Sequence, residues 1–385
     1  MYERVLRLAL AKGRRSILLL GPRQVGKSTL LRSLDPDLLI NLASPAVFRD
    51  YATHPDRLES ELRAASKTVK TVFLDEVQRV PALLDVVQVL IDETPRRFRF
   101  LLSGSSARKL RRGQANLLPG RIHVHSLHPL LVTEMARDFD LDRTLAHGSL
   151  PGIYAESDRE IRERDLRSYV DTYLKEEIQI EALVRDIGGY ARLLEHVAAA
   201  SGKVLNLRAL CGDAGVSYET ARRYVEVLED TLVVFRVPAW RESDRSSLIA
   251  HPRVYVFDLG VRNALLRRPL DRPLDDERGL LLEHLVAYEL HRRAGDLWPE
   301  ARLWHFRTRG GTKVDFVLEV GRELWGIEVK ASRDIGSRSL SGLAALADQS
   351  SRVKRRILVF LGQRRRSVNG VEIIPLEEFL SALPV

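Results

Sequence analysis

The 385-residue chain predicts an α/β protein of two or three domains: a phosphate-binding core, a helical and winged-helix middle, and a second α/β module at the C-terminal end. Three observations carry this expectation. An apolar run, Ser16–Leu20, leads into Gly21-Pro-Arg-Gln-Val-Gly26-Lys27-Ser28 and then into the apolar-periodic stretch Thr29–Leu34. Residues 201–240 pattern as two short helices followed by a strand. Residues 279–330 pattern as a helix and two alternating strands that bear carboxylates. The length exceeds what one hydrophobic core usually serves.

The first element reads as strand, glycine loop and helix, the context that the pattern G-x-x-x-x-G-K-[ST] requires. Free backbone N–H groups at a helix start can then face phosphate oxygens. Gly21 and Gly26 permit backbone geometry that a Cβ would obstruct. Lys27 would reach the β- and γ-phosphates of ATP and the Ser28 hydroxyl would ligate Mg²⁺, with Gln24, Val25 and Thr29 completing the phosphate-binding set. The strand Thr71–Leu74 ends in Asp75 and Glu76, which fits a Walker B element. Asp75 would serve the Mg²⁺ shell and Glu76 would polarise the attacking water. A third strand, Phe98–Leu102, runs into Ser103-Gly-Ser-Ser106. A hydroxyl there either senses the γ-phosphate and positions water or belongs to an ordinary polar turn.

Composition bounds the class. Hydrophobic residues make up 45% and charged residues 29%, a globular balance, and no run approaches the roughly eighteen apolar residues of a membrane span. The N-terminal stretch reads as a first helix, not a signal peptide. Cys211 is the single cysteine, which excludes an internal disulfide or a cysteine-based zinc site. A cytoplasmic setting follows, with Cys211 expected as an inert core residue. The net charge of +9 favours a polyanionic partner such as DNA. Basic runs at 108–112, 352–356 and 364–366 concentrate it, although solvated surface and a GC-rich genome that favours arginine codons are the competing explanations.

In the middle segment, Leu166, Tyr169, Val170, Tyr173 and Leu174 recur at helical spacing, as expected of a helical lid. His123, His125 and His128 read as surface histidines, because no carboxylate pattern accompanies them. Leu207–Gly215 reads as a short helix and turn, and Ser217 as the N-cap of a helix from Tyr218 to Asp230. With the strand Val233–Val237 this is a winged helix-turn-helix plan. It would place Tyr218, Arg222 and Arg223 where a recognition helix meets DNA, although such domains also serve as packing units. Further on, Glu283 sits on the helix 279–290. Asp315 lies on the strand 313–320, and Glu328 and Lys330 share one face of the returning strand 324–330.

Taken together, LDEVQRVP (74–81), SGSSARKL (103–110), LLPGR (117–121) and GSLPGIY (148–154) resemble the AAA+ ATPases. More narrowly, they are similar to the AAA_14 ATPases that carry a C-terminal DUF4143 region, and the resemblance covers most of the chain. It implies a P-loop AAA+ ATPase core over 1–128. It also implies a helical lid and winged helix over 129–250 and a restriction-endonuclease-like α/β domain over 251–385. It further implies Mg²⁺-dependent ATP hydrolysis. The basic charge and the analogy of the modules add the expectation that hydrolysis drives remodelling of, or movement on, DNA, branched DNA included, within a ring-like homo-oligomer such as a hexamer. In such ATPases an arginine completes the site from a neighbouring subunit. Arg121 is the first candidate and Arg108 the second. Glu283, Asp315, Glu328 and Lys330 resemble the PD-(D/E)xK nuclease core, in which carboxylates bind Mg²⁺ and the lysine helps activate water. Either cleavage or a DNA-holding scaffold follows from that likeness. A nucleotide-controlled switch that recruits a partner is the rival function.

Overall fold

The strand Ser16–Leu20 (β1) is buried at every position, as an all-apolar run must be when both faces of a parallel sheet are covered. The structure, a computed structural model, describes residues 2–105, 118–174, 186–242, 251–295 and 297–384. Leu38–Asn41 (β2), Thr71–Asp75 (β3), Arg99–Gly104 (β4) and Ile122–Ser126 (β5) join β1 in an all-parallel sheet of order β2-β3-β4-β1-β5. The strand β4 therefore lies between the glycine-loop strand and the strand that ends in Asp75. Leu83, Leu84, Val87 and Leu90 recur along the helix Leu83–Glu93 and join the buried cluster that includes Leu18, Leu74 and Leu102. The helix Lys27–Arg32 contributes Leu30 and Leu31 to the buried set.

The chain divides into two compact units. One comprises Met1–Pro129 with Val227–Val233, and the other Leu130–Glu226 with Val234–Val385. The helical middle, apart from Val227–Val233, and the C-terminal module thus fall within one unit. There the helix Arg159–Ser168, capped by Asp158, continues as a π-helix over Tyr169–Leu174. Leu166, Tyr169 and Val170 are buried, as their spacing demands. The helices Ile187–Ala199, Leu207–Ala214 and Tyr218–Asp230 precede an antiparallel pair, Val234–Val237 (β6) with Arg253–Val256 (β7). Ser217 caps as its type predicts, its Oγ accepting the Thr220 N–H at 3.2 Å. Cys211 departs from expectation: it is half-buried, not a core residue, and its thiol donates to the Arg208 carbonyl at 3.1 Å.

The C-terminal sheet holds Ala301–Arg307 (β8), Lys313–Val320 (β9), Glu323–Lys330 (β10), Val353–Phe360 (β11), Arg366–Val368 (β12) and Val371–Pro375 (β13). Its order is β12-β13-β11-β10-β9-β8. The β8–β9–β10 part is antiparallel, and β10, β11 and β13 run parallel. The helix Ser341–Gln349 supplies the crossover that a parallel β10–β11 pair needs. The helix Arg278–Arg293 is buried along most of its length.

Candidate nucleotide site and a buried carboxylate cluster

The glycine loop is built by close approach. A Cβ on Gly21 would meet the Leu127 carbonyl oxygen at 2.1 Å, and Gly26 holds φ at +92°. At both positions only glycine is free of strain. The Lys27 ammonium is buried and donates to the Gly21 and Pro22 carbonyls at 2.9 Å each. Gln24 and Val25 form the loop tip, Gln24 with φ +58°, and Thr29 lies in the first turn of the helix. The Ser28 hydroxyl donates to Asp75 Oδ1 at 2.7 Å. The hydroxyl and carboxylate expected to serve a metal are thus in direct contact, and their oxygen donors fit a nucleotide-bound Mg²⁺.

Because β4 lies between β1 and β3, Ser103 at its end reaches the acidic pair. Its hydroxyl donates to Asp75 Oδ1 at 2.5 Å and accepts the Glu76 N–H at 2.9 Å. It is wholly buried, unlike a hydroxyl in an open polar turn. Glu76 has φ of +63°, a left-handed conformation uncommon outside glycine and asparagine and characteristic of strained functional positions. Two residues that sequence reasoning missed complete the site. Gln78 is buried, and its amide donates to Glu76 Oε2 at 2.5 Å and Ser105 Oγ at 3.0 Å. Arg4 is buried too and donates to the carbonyls of Val25 at 2.7 Å, His128 at 2.6 Å and Pro129 at 3.3 Å. Gln78 was legible as the polar residue two past the acidic pair. Nothing local marks Arg4, whose acceptors lie up to 125 residues away.

Arg121 is placed on the same unit and engaged within the chain, in a two-bond pair with Asp92 at 2.7 and 2.8 Å. Arg108 and the 108–112 run lie outside the described residues. Tyr218 is exposed at the helix start. Arg222 pairs with Glu219 at 3.0 Å and Glu226 at 3.9 Å in its own helix, and Arg223 lies over the Tyr224 ring. The basic 352–366 region is largely engaged as well. Arg352 pairs with Glu319, Arg355 with Glu372, and Arg365 with Glu372 and Glu378.

The second unit does bring Glu283, Asp315, Glu328 and Lys330 together, along with partners the sequence did not reveal. Arg253 on β7 donates to Glu283 Oε1 at 2.5 Å and lies 3.9 Å from Asp315 Oδ1. Tyr255 donates to Glu283 Oε1 at 3.0 Å, Lys313 to Asp315 Oδ1 at 3.1 Å, and Lys330 to Glu328 Oε1 at 2.6 Å. The backbone N–H of Val329 donates to Asp315 Oδ2, and that of Asp315 to Glu328 Oε2. Burial, with Asp315 adding to it, pushes the Glu283 carboxyl up to about 7 against the pull of Arg253, and the same two causes raise Glu328. Burial and the neighbouring Glu283 raise the Tyr255 phenol. A metal bridging Glu283 and Asp315 does not fit this arrangement, because a guanidinium already stands between them. Among the described residues no group of histidine, cysteine and carboxylate side chains is arranged to hold a metal ion.

A buried lysine in a glycine loop, a serine–aspartate contact at its mouth and an all-parallel sheet define the class as a P-loop nucleotide-binding domain. The comparisons with known proteins agree. The family described as "AAA domain" (AAA_14) matches residues 13–136. A domain of unknown function, DUF8612, matches 138–272, and another, DUF4143, matches 278–379. An AAA_14 ATPase domain and a C-terminal DUF4143 domain are therefore present, and the first implies nucleotide binding. The chain is 27% identical over 369 residues to an uncharacterized protein of Mycobacterium tuberculosis, Rv2008c, covering 95% of this chain and 81% of that one. The Mycobacterium bovis protein Mb2031c gives the same figures.

Among solved structures, a point variant of RuvB from Thermotoga maritima is 19% identical, with 60% of this chain and 87% of that one covered and a TM-score of 0.28. The replication initiator DnaA bound to AMPPCP and single-stranded DNA is 14% identical, with 58% and 85% covered and a TM-score of 0.27. Among the described residues no helix is long and apolar enough to cross a membrane.

Proposed function

We propose that the chain is a Mg²⁺-dependent ATPase that couples hydrolysis to binding and remodelling of DNA, branched DNA included, as a cytoplasmic homo-oligomer with a ring-like arrangement. The observation that carries this reading is the contact of Ser28 with Asp75 beside the buried Lys27. Bound phosphate would draw the Lys27 ammonium from the Gly21 and Pro22 carbonyls. Ser28 and Asp75 would hold Mg²⁺, which supplies charge neutralisation for the departing phosphoryl group. Glu76 would orient the attacking water, while Ser103 holds the Asp75 carboxylate and the Glu76 backbone in register. Arg121, once released from Asp92, would complete the site of a neighbouring subunit. The basic net charge and the helix of Tyr218, Arg222 and Arg223 support the DNA partner.

One observation favours a second reading, a nucleotide-controlled switch that recruits a partner. Gln78 holds the Glu76 carboxylate that would otherwise orient water, an arrangement suited to slow turnover. The third reading, an ATP-regulated nuclease, is disfavoured by the cations around the C-terminal carboxylates. Steady-state ATP hydrolysis measured with single-stranded, duplex and junction DNA separates these. Stimulation by DNA supports the motor, and slow turnover with tight nucleotide retention, indifferent to DNA, supports the switch. Lys27→Ala should lose nucleotide binding. Glu76→Gln should bind but hydrolyse about a hundredfold or more slowly, as expected when a water-activating group is removed. Parent-rate hydrolysis by Glu76→Gln would remove that residue from its role.

A further inference from the structure

The carboxylates of the C-terminal module face cationic side chains of their own chain. Glu283 comes from the helix Arg278–Arg293, Asp315 from β9 and Glu328 from β10. Three cationic side chains, Arg253, Lys313 and Lys330, meet them. Glu283 Oε1, both Asp315 oxygens and both Glu328 oxygens already accept hydrogen bonds. A Mg²⁺ ion needs near-octahedral oxygen ligands at about 2.0–2.1 Å. It would have to displace a guanidinium 2.5 Å from one carboxylate and 3.9 Å from the next.

Displacement is opposed by the way Arg253 is held. Its side chain is 4% exposed. Its backbone pairs with Val237 on one side and bridges to Val204 on the other. Tyr255, two residues along the same strand face, binds the same Glu283 oxygen. The hairpin that carries Arg253 is tied to the C-terminal sheet a second time, where the Trp240 N–H donates to the His305 carbonyl at 2.7 Å.

We infer that Arg253 is the built-in cation of this cluster, so that the carboxylates fasten the β6–β7 hairpin to the C-terminal sheet and take up no divalent metal. A buried pair of this kind is costly to break on one side, because the partner left behind is an uncompensated buried charge. The module then joins two segments of the chain instead of cutting DNA, and Arg253 acts as a positioning residue. This inference stands apart from the ATPase reading, since it concerns only the second unit.

The test uses the full chain without nucleotide, titrated with Mn²⁺ and followed by electron paramagnetic resonance of the free ion. The parent should show no Mn²⁺ site tighter than about 1 mM, the weak end of carboxylate sites, that disappears on Asp315→Asn. Asp75→Asn assigns any site belonging to the glycine loop. Arg253→Gln should create Mn²⁺ binding that Asp315→Asn removes, and hydrogen exchange across Val234–Val237 and Arg253–Val256 should quicken about a hundredfold. A parent Mn²⁺ site abolished by Asp315→Asn would overturn the inference, and so would Mn²⁺-dependent DNA cutting that this variant no longer shows. Unchanged exchange of the hairpin in Arg253→Gln would refute the fastening role. If Arg253→Gln does not fold, the comparison of parent with Asp315→Asn still decides the metal question.

Discussion

Arg4→Met isolates a contact that no motif announces. The guanidinium donates to Val25 at the tip of the glycine loop and to His128 and Pro129 beyond the end of β5. It thereby ties the loop to the far edge of its own sheet. Methionine retains much of the apolar stem and removes all the donors. Each hydrogen bond from a charged donor is worth about 1.5–3 kcal/mol, so removing the Val25 bond alone should loosen the loop enough to weaken nucleotide binding about tenfold to a hundredfold. Fluorescent-nucleotide titration measures this directly, and hydrogen exchange at Gln24–Thr29 reports the loop without a ligand. All the tryptophans, Trp240, Trp298, Trp304 and Trp325, lie in the second unit. Tryptophan-detected unfolding should therefore be nearly unchanged, which separates loosening of the loop from general misfolding. Arg4→Lys should fall between, since one ammonium cannot reproduce the planar fork that serves acceptors on two segments. Affinity within about twofold of the parent, together with unchanged loop exchange, would refute the reasoning.

Arg121→Ala should bind ATP normally and hydrolyse it poorly. Mixing it with Glu76→Gln protein should restore activity, because a mixed interface can pair an intact Glu76 with an intact Arg121; no rescue in proven mixed oligomers would count against a shared site. Replacing Arg222 and Arg223 with alanine should lower the salt dependence of DNA binding by about 1 for each phosphate that is no longer neutralised. Arg223 should account for more of the change, since Arg222 is already paired with Glu219 and Glu226; an unchanged slope would place the DNA elsewhere on the protein. Burial raises the Asp258 carboxyl to about 6, so the folded chain keeps that proton over a window where the unfolded chain releases it. Relative to Asp258→Asn, the parent should gain up to about 3 kcal/mol as pH falls from about 7 toward 4, with the gain saturating below the unfolded value. Equal pH slopes in urea unfolding of the two proteins would show that the carboxyl titrates normally.

Local chemistry alone determined the glycine loop, the acidic pair at the end of β3, the helix cap at Ser217, and the helix and alternating strands that carry Glu283, Asp315, Glu328 and Lys330. Each of these rests on spacing within a few residues, on the freedom of glycine or on side-chain alternation, all properties that short segments carry with them. Tertiary structure decided the rest. Strand order placed β4 between β1 and β3 and turned Ser103 into a brace for the acidic pair. Chain return brought Arg4 to Val25, and β7 carried Arg253 into a carboxylate cluster that read from the sequence as a metal site. The pattern of acids and lysine was legible because those residues sit close along two strands and one helix. The cation that neutralises them comes from 30 residues before Glu283 and from another segment of the fold. Charge balance in a buried cluster depends on which side chains meet in space, and sequence spacing does not encode that.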